Sequence, residues 1–260
     1  MPIAILDYGS QYTKLIARRI RSQNVYCEIF PFDIDRNQIS VFHPDGYILS
    51  GGPSSVYQEK AFTLPDFILS SGKPILGICY GMQLLAHHLG GKVIPSDRQE
   101  YGSTKIHIKQ DNLLVNAGSL NVWMFHGDIV KSAPEGFSVI AETDSQIIAA
   151  ISNVEKKYFG LQFHPEVTHT ETGDEIIKNF LFKICHAKPD WTPKTIISSI
   201  IEKIGDQVGN QRVLAAVSGG VDSTVAIALA SQVIIRTRLT QYSSTRDFYA
   251  RTNLALLKLH

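Results

Sequence analysis

The sequence predicts an α/β protein: a doubly wound, mostly parallel sheet with an antiparallel extension, followed by an incomplete second α/β domain. Three observations carry this expectation. Over the first hundred residues, short apolar runs ending in Gly, Ser or Asp alternate with amphipathic stretches, as a parallel sheet covered by helices requires. From about residue 101 to 162 the periodicity changes, and runs such as Lys105-Ile106-His107-Ile108-Lys109 alternate residue by residue. Beyond the Pro-flanked polar stretch Lys188-Pro189-Asp190-Trp191-Thr192-Pro193, which reads as a linker, a helix and strand pattern starts again.

Taken in order, residues 3–6 form the first expected strand. Residues 11–21 place Leu15, Ile16, Arg19 and Ile20 at helical spacing, and a second strand follows over 25–29. Tyr47-Ile48-Leu49 and Pro74-Ile75-Leu76-Gly77-Ile78 read as buried strands, the second leading into a helix over 82–89. The alternating region adds strands around 137–140 and 146–151, and residues 159–163 give another. A helix over 173–186 closes the unit. Residues 194–208 read as a helix, 212–217 as a strand and 222–230 as the start of a further helix. The domains are therefore drawn at 1–188, 189–230 and a divergent tail at 231–260. About 30 residues follow Ala230, fewer than the ~50 a domain usually needs, so the last domain is expected to be unfinished. Ile234, Ile235, Leu254, Leu256, Leu257 and Leu259 would then have no sheet to cover.

The chain has 260 residues, 44% hydrophobic and 19% charged, with a formal net charge of +1. So balanced a composition points away from nucleic-acid and membrane surfaces. No apolar run approaches the ~20 residues that span a bilayer, and the start, Met1-Pro2-Ile3-Ala4, lacks the basic region of a signal peptide. Cys27, Cys79 and Cys185 are odd in number and widely spaced, which argues against a disulfide framework or a zinc cluster and for a reducing cytoplasm. His87, His88, His107 and His169 lack metal-ligand spacing, and no metal site is expected.

Gly77-Ile78-Cys79-Tyr80-Gly81 stands between an apolar strand and a helical run. It is the arrangement of a nucleophile elbow, with Cys in place of Ser. Its glycines permit a sharp, crowded turn, and the positive end of the following helix favours a thiolate. The plainer alternative is a buried inert cysteine. A nucleophilic sulfur needs a proton acceptor held by a carboxylate, and Phe163-His164-Pro165-Glu166 supplies both, since residues two apart in extended backbone share a face. Alone, that pair would read as a surface contact. Acyl transfer also needs donors for a developing oxyanion. Gly51 and Gly52 in Ser50-Gly51-Gly52-Pro53, together with the backbone N–H of Tyr80, are the candidates. Without the elbow, the Gly-Gly-Pro segment would be a turn and nothing more.

Taken together, Gly77-Ile78-Cys79-Tyr80-Gly81-Met82-Gln83, Ser50-Gly51-Gly52-Pro53 and Gln162-Phe163-His164-Pro165-Glu166 resemble the signature segments of class I glutamine amidotransferases, in the same order. The resemblance covers residues 1 to about 188 and implies the fold of that family. It also implies glutamine as substrate, Cys79 as nucleophile, His164 as proton shuttle, Glu166 as its orienting carboxylate and Gln83 as a holder of glutamine. No cofactor is implied for this step.

Ser218-Gly219-Gly220-Val221-Asp222-Ser223 joins a strand to a helix and gathers glycine N–H groups, two hydroxyls and a helix amino terminus around one point, a phosphate-binding geometry. It resembles the pyrophosphate loop of N-type ATP pyrophosphatases; its bland alternative is an unliganded turn. An amidotransferase followed by such a loop resembles the glutamine-hydrolysing GMP synthase family, as do Asp7-Tyr8-Gly9-Ser10-Gln11-Tyr12 and Val122-Trp123-Met124-Phe125-His126-Gly127-Asp128. This implies ATP and Mg²⁺ as cofactors of an XMP-to-GMP amination, with residues 218–223 cradling ATP. It also implies a homodimer, although the family's dimerisation region has no counterpart in this sequence. That family usually has Ser where Phe125 stands, a swap that adds bulk near the bound glutamine. Two other functions stay open on the sequence: a folded but inactive amidotransferase module, and a different cysteine hydrolase of related fold.

Overall fold

The computed structural model describes residues 2–59, 61–235 and 238–243. The chain divides into two compact units, Met1–Asp190 and Trp191–His260. In the first, β1 (Ile3–Asp7), α1 (Thr13–Ser22), β2 (Cys27–Pro31), α2 (Arg36–Phe42), β3 (Gly46–Leu49), α3 (Asp66–Ser70), β4 (Ile75–Ile78) and α4 (Tyr80–His88) alternate. Then come β5 (Lys92–Ile108), β6 (Gly118–Ser132), β7 (Ser138–Thr143), β8 (Ile148–Asn153) and β9 (Tyr158–Leu161). The unit closes with α5 (Gly173–Asn179), which passes into a π-helical turn at Phe180–Ile184.

One nine-stranded sheet runs β2-β1-β3-β4-β9-β8-β7-β5-β6. Pairing is parallel from β2 across to β9 and antiparallel from there to β6. The inner parallel strands β1, β3, β4 and β9 are buried on both faces and their residues alternate between two cores, while the edge strand β2 is partly exposed. Ile3 and Ile5 join α1 residues Ile16, Ala17 and Ile20 and α5 residues Ile176 and Ile177 on one side. Ala4 and Leu6 join Ile39, Ile68 and the α4 residues Met82, Leu84 and Leu85 on the other. Each fully buried isoleucine, leucine or methionine among these is worth about 1.5–3 kcal/mol.

Helix α1 starts at Thr13, two residues after the expected 11, because the preceding turn satisfies itself. Asp7 Oδ1 accepts from the Gly9 N–H at 2.9 Å and from the Thr13 hydroxyl at 2.7 Å, while Ser10 Oγ accepts from the Tyr12 N–H. The expected strand at 159–163 ends earlier, at Leu161, so His164 and Glu166 lie in the loop that follows it.

The second unit contains α6 (Pro193–Val208), β10 (Val213–Val217), α7 (Val221–Ser231) and β11 (Leu239–Ser243), with β10 and β11 paired in parallel. Neither α6 nor α7 has a buried residue, and Leu214, Val221 and Val225 are exposed. Ile235 is exposed as expected, but Ile234 is only 4% accessible. The chain turns after α7, with the N–H groups of Val233 and Ile234 donating to Ala230, and Val233 packs on Gly205 of α6. Leu254, Leu256, Leu257 and Leu259 lie outside the described residues. Among those described, no helix is long and apolar enough to cross a membrane.

Candidate active site

The order β2-β1-β3 reverses direction between β1 and β3, and in such sheets ligands gather at the carboxyl ends of the strands beside that reversal. Here the loops leaving β1, β3, β4 and β9 converge, and they carry residues 9–12, 50–53, 79 and 162–166. Cys79 follows β4 directly, and α4 begins at the next residue. Its backbone is at φ 53°, ψ −108°, a region costly for any residue with a Cβ.

The flanking glycines show what holds that strain. A β-carbon on Gly81 would stand 2.3 Å from the Leu49 carbonyl oxygen of β3, and one on Gly77 would stand 2.5 Å from the carbonyl oxygen of Gly81. Only bare backbone lets the first turn of α4 lie this close to β3 and β4. The sulfur is thereby lifted to the strand ends, where Cys79 is 5% accessible and lies 3.5 Å from the Phe125 carbonyl oxygen. The Gln162 amide donates to the sulfur over a long 3.9 Å contact.

His164 reaches Cys79 because β9 pairs directly with β4. Ile78 stands opposite Leu161, and the Cys79 N–H donates to the Leu161 carbonyl at 2.7 Å. His164 Nδ1 meets Glu166 Oε1 at 2.8 Å, with the two side chains 3% and 0% accessible. Glu166 Oε2 has no hydrogen-bond partner among the described residues, so His164 is that carboxylate's main interaction. Burial works against a charge on His164, but hydrogen bonding and charge attraction from Cys79 and Glu166 outweigh it and raise its pKa well above the usual histidine value. Nearby His126 behaves oppositely: desolvation lowers its pKa to about 4, so it is neutral near pH 7.

The turn that holds His164 is fixed at both ends. Thr170 Oγ1 donates to the His164 carbonyl at 2.6 Å and accepts from the Trp123 N–H, while the His164 N–H donates to the Trp123 carbonyl. Glu171 accepts from the Asn121 N–H and side-chain amide at 2.9 and 3.0 Å, contacts that pull its pKa down. On the other side Arg19 Nε donates to the Glu166 carbonyl at 2.9 Å and Arg19 pairs with Asp174. Thr170, Asn121 and Arg19 carry no sequence signal for this role, because each acts through tertiary bonds to groups far away in the chain.

The remaining predicted residues fall around the same sulfur. A β-carbon on Gly52 would meet the Tyr8 carbonyl oxygen at 2.6 Å, and one on Gly51 would lie 3.3 Å from His164 Cε1, so this turn needs glycine to sit against the site. Tyr80 places its backbone at the start of α4, while its ring packs with Tyr8 and Phe62. Gln83 donates to the Asp128 carbonyl at 2.8 Å and to Gln162 at 3.2 Å. Two clefts meet at Cys79: one of about 290 Å³ bounded by residues 9–12 and His164, another of about 240 Å³ bounded by Gln83 and residues 126–128. Gly52 and Phe125 line both, and the Phe125 ring, half exposed, stands edge-on to Tyr101 at 5.0 Å.

In the second unit, residues 218–223 form the turn from β10 to α7. Gly219 is at φ 84°, Ser218 and Ser223 hydroxyls are 3.2 Å apart, and the Gly220 carbonyl accepts from the Ser223 and Thr224 hydroxyls. Asp222 lies in the first turn of α7. Among the described residues, no group of His, Cys, Asp and Glu could hold a metal ion.

Comparison with known proteins places this geometry. Over 238 residues the chain is 47% identical to a glutamine-hydrolysing GMP synthase of Ruthia magnifica, and over 234 residues it is 48% identical to one of Geobacillus kaustophilus. These alignments cover 89% of the chain but 46% of each relative, so the chain spans about half the length of the curated relatives it matches. Among solved structures, a Thermoplasma acidophilum protein described as one component of a GMP synthase superposes with a TM-score of 0.62 at 31% identity, covering 72% of this chain and 94% of that one. A Thermotoga maritima glutamine amidotransferase, 20% identical with a TM-score of 0.54, shares the fold, covering 75% of this chain and 89% of that one. The class-I glutamine amidotransferase family model matches residues 4–184, which takes in every loop that converges on Cys79, and the chain belongs to that family.

Proposed function

We propose that the first unit hydrolyses glutamine to glutamate and ammonia at Cys79, as the ammonia-supplying part of a GMP synthase. The observation that carries the proposal is a cysteine held at positive φ on β4, beside a buried histidine–carboxylate pair delivered by the neighbouring strand β9. In this mechanism the thiolate attacks the side-chain amide carbon of glutamine, and the backbone N–H groups of Tyr80 and Gly52 receive the oxyanion. His164, kept protonated by Cys79 and Glu166, gives its proton to the departing nitrogen, and ammonia leaves. Water then attacks the thioester, His164 takes up its proton, and glutamate departs as the thiolate is restored. Neutral His126 does not compete for the proton. The three free cysteines suit a reducing, cytoplasmic setting.

The proposal extends to the second unit. Residues 1–188 would be the amidotransferase domain and residues 189–230 the beginning of an ATP pyrophosphatase domain, with residues 218–223 receiving the pyrophosphate of ATP, which would bring Mg²⁺ bound to its own phosphates. Support comes from the GMP synthase alignments, which are longer than the first unit alone, and from the hydroxyls and glycines gathered at the start of α7. XMP would then be the ammonia acceptor.

The test is glutamate and ammonia release from glutamine by the chain and by its Cys79→Ala variant. Cys79-dependent release upholds the glutaminase; its absence overturns it. AMP release from ATP and XMP, measured separately, tests the second unit.

A further inference from the structure

The two clefts that meet at the Cys79 sulfur differ in a way that assigns the two ends of a substrate. A general acid must stand beside the nitrogen it protonates. His164 lines only the larger cleft, so the leaving amine faces residues 9–12, and the amino-acid end lies toward Gln83 and residues 126–128. Ammonia needs little of that larger space. A water molecule, similar in size, takes a share of about 30 Å³ in the liquid, against about 290 Å³ here.

Chemistry narrows what else fits. Apart from Cys79 and His164, the larger cleft is lined by Gly9, Ser10, Gln11, Tyr12, Gly52, Pro53 and Phe125, none of them charged. Tyr12 stands edge-on to the His164 ring at 5.1 Å, and Phe125 is half exposed on the other side. The one cation at the cleft, His164, already pairs with Glu166, so two aromatic rings receive a flat or apolar neutral group and a carboxylate finds no free counter-charge.

The geometry points to a second activity of this site: hydrolysis of γ-glutamyl amides whose amine is an uncharged aromatic or small alkyl amine. It rests on Cys79 and His164 having the roles proposed above. The thiolate forms a bond to the γ-carbonyl carbon, the carbon–nitrogen bond breaks, and the His164 proton goes to the nitrogen, releasing the free amine. Water hydrolyses the thioester as it does after glutamine. Glutamate and one amine form per water consumed, and no oxidant or cofactor enters.

The test uses the 260-residue chain with L-γ-glutamyl-p-nitroanilide, followed by nitroaniline absorbance, and with glutamine, followed by glutamate. The expected kcat/KM for the anilide is within about tenfold of that for glutamine, since a site without room for the ring would lose more than about a hundredfold. Glutamine should compete with the anilide, and Cys79→Ala should abolish both reactions. Cys79-dependent glutamate from glutamine with no nitroaniline overturns the inference and leaves the glutaminase standing. Nitroaniline release that survives Cys79→Ala also overturns it. Failure of both substrates overturns the glutaminase as well, whereas Cys79-dependent cleavage of the anilide alone upholds the leaving-group cleft against the glutamine assignment.

Discussion

Replacing Gly81 with alanine tests whether backbone contact between α4 and β3 is what places the nucleophile. The new β-carbon would stand 2.3 Å from the Leu49 carbonyl oxygen and 2.7 Å from the Leu49 Cβ, where ordinary contact begins at 3.4 Å. The first turn of α4 must therefore retreat by about 1 Å, carrying the Tyr80 N–H and Cys79 with it, and a misplacement of that size costs about a hundredfold in rate. Stability changes less. Overpacking costs about 1–3 kcal/mol, and alanine returns up to about 1 kcal/mol of helix propensity, so the net loss is about 1–2 kcal/mol. That lowers Tm by roughly 2–8 °C in a unit of this size.

Gly72→Ala is the companion variant. Its φ of 65° strains any side chain, yet nothing lies within 4 Å and it precedes β4 at the opposite end from Cys79. It should lose about 1 kcal/mol and keep full turnover. Glutamate release at saturating and limiting glutamine, with calorimetric Tm for each variant, gives the comparison. A Gly81→Ala protein with unchanged kcat/KM and Tm refutes the reasoning.

Three further outcomes follow from the site. Glu166→Gln should lower kcat at least about a hundredfold with little effect on KM; it should also move the alkaline limb of the pH profile to lower pH, because the carboxylate helps hold the proton on His164. Thr170→Val leaves the His164 carbonyl and the Trp123 N–H without their buried partner; it should cost about 1–3 kcal/mol in urea unfolding and reduce kcat more than KM, with Thr170→Ser restoring both. His126 has its pKa depressed from 6.5 to about 4 by burial, so it contributes stability that is whole above pH 6.5 and is lost as pH falls through 4. The loss is about 3 kcal/mol, and His126→Gln should flatten the fall in unfolding free energy across that window.

Strand ends are visible in the sequence because the inner parallel strands β1, β3, β4 and β9 are apolar runs that stop at residue types suited to turns. Cys79, His164, Glu166, Gly51 and Gly52 are therefore legible as separate loops, while their convergence depends on β9 pairing with β4, which sets Ile78 opposite the distant Leu161. The His164–Glu166 alignment is expected at the end of a strand and arises in the loop after Leu161, held by Thr170 and Arg19. Helices α2 and α3 leave no periodic pattern: each is a short element with one buried residue, Ile39 or Ile68, too few to set a period. The long hairpin of β5 and β6 is only partly readable, since its register shifts between Pro95 and Glu100 and interrupts the alternation. Phe125 stands out in the sequence only through the family resemblance, and its place on the wall between two clefts comes from the hairpin's geometry.

The central claim is that Cys79 carries the acyl group of glutamine. Acid quenching during steady-state turnover, followed by proteolysis and mass spectrometry, measures this directly. The account predicts a γ-glutamyl thioester on the peptide containing Cys79, accumulating further in Glu166→Gln if deacylation slows with His164 misaligned and absent in Cys79→Ala. Glutamate release in Cys79→Ala at the wild-type rate, or a glutamyl group found on Cys27 or Cys185 instead, would contradict it.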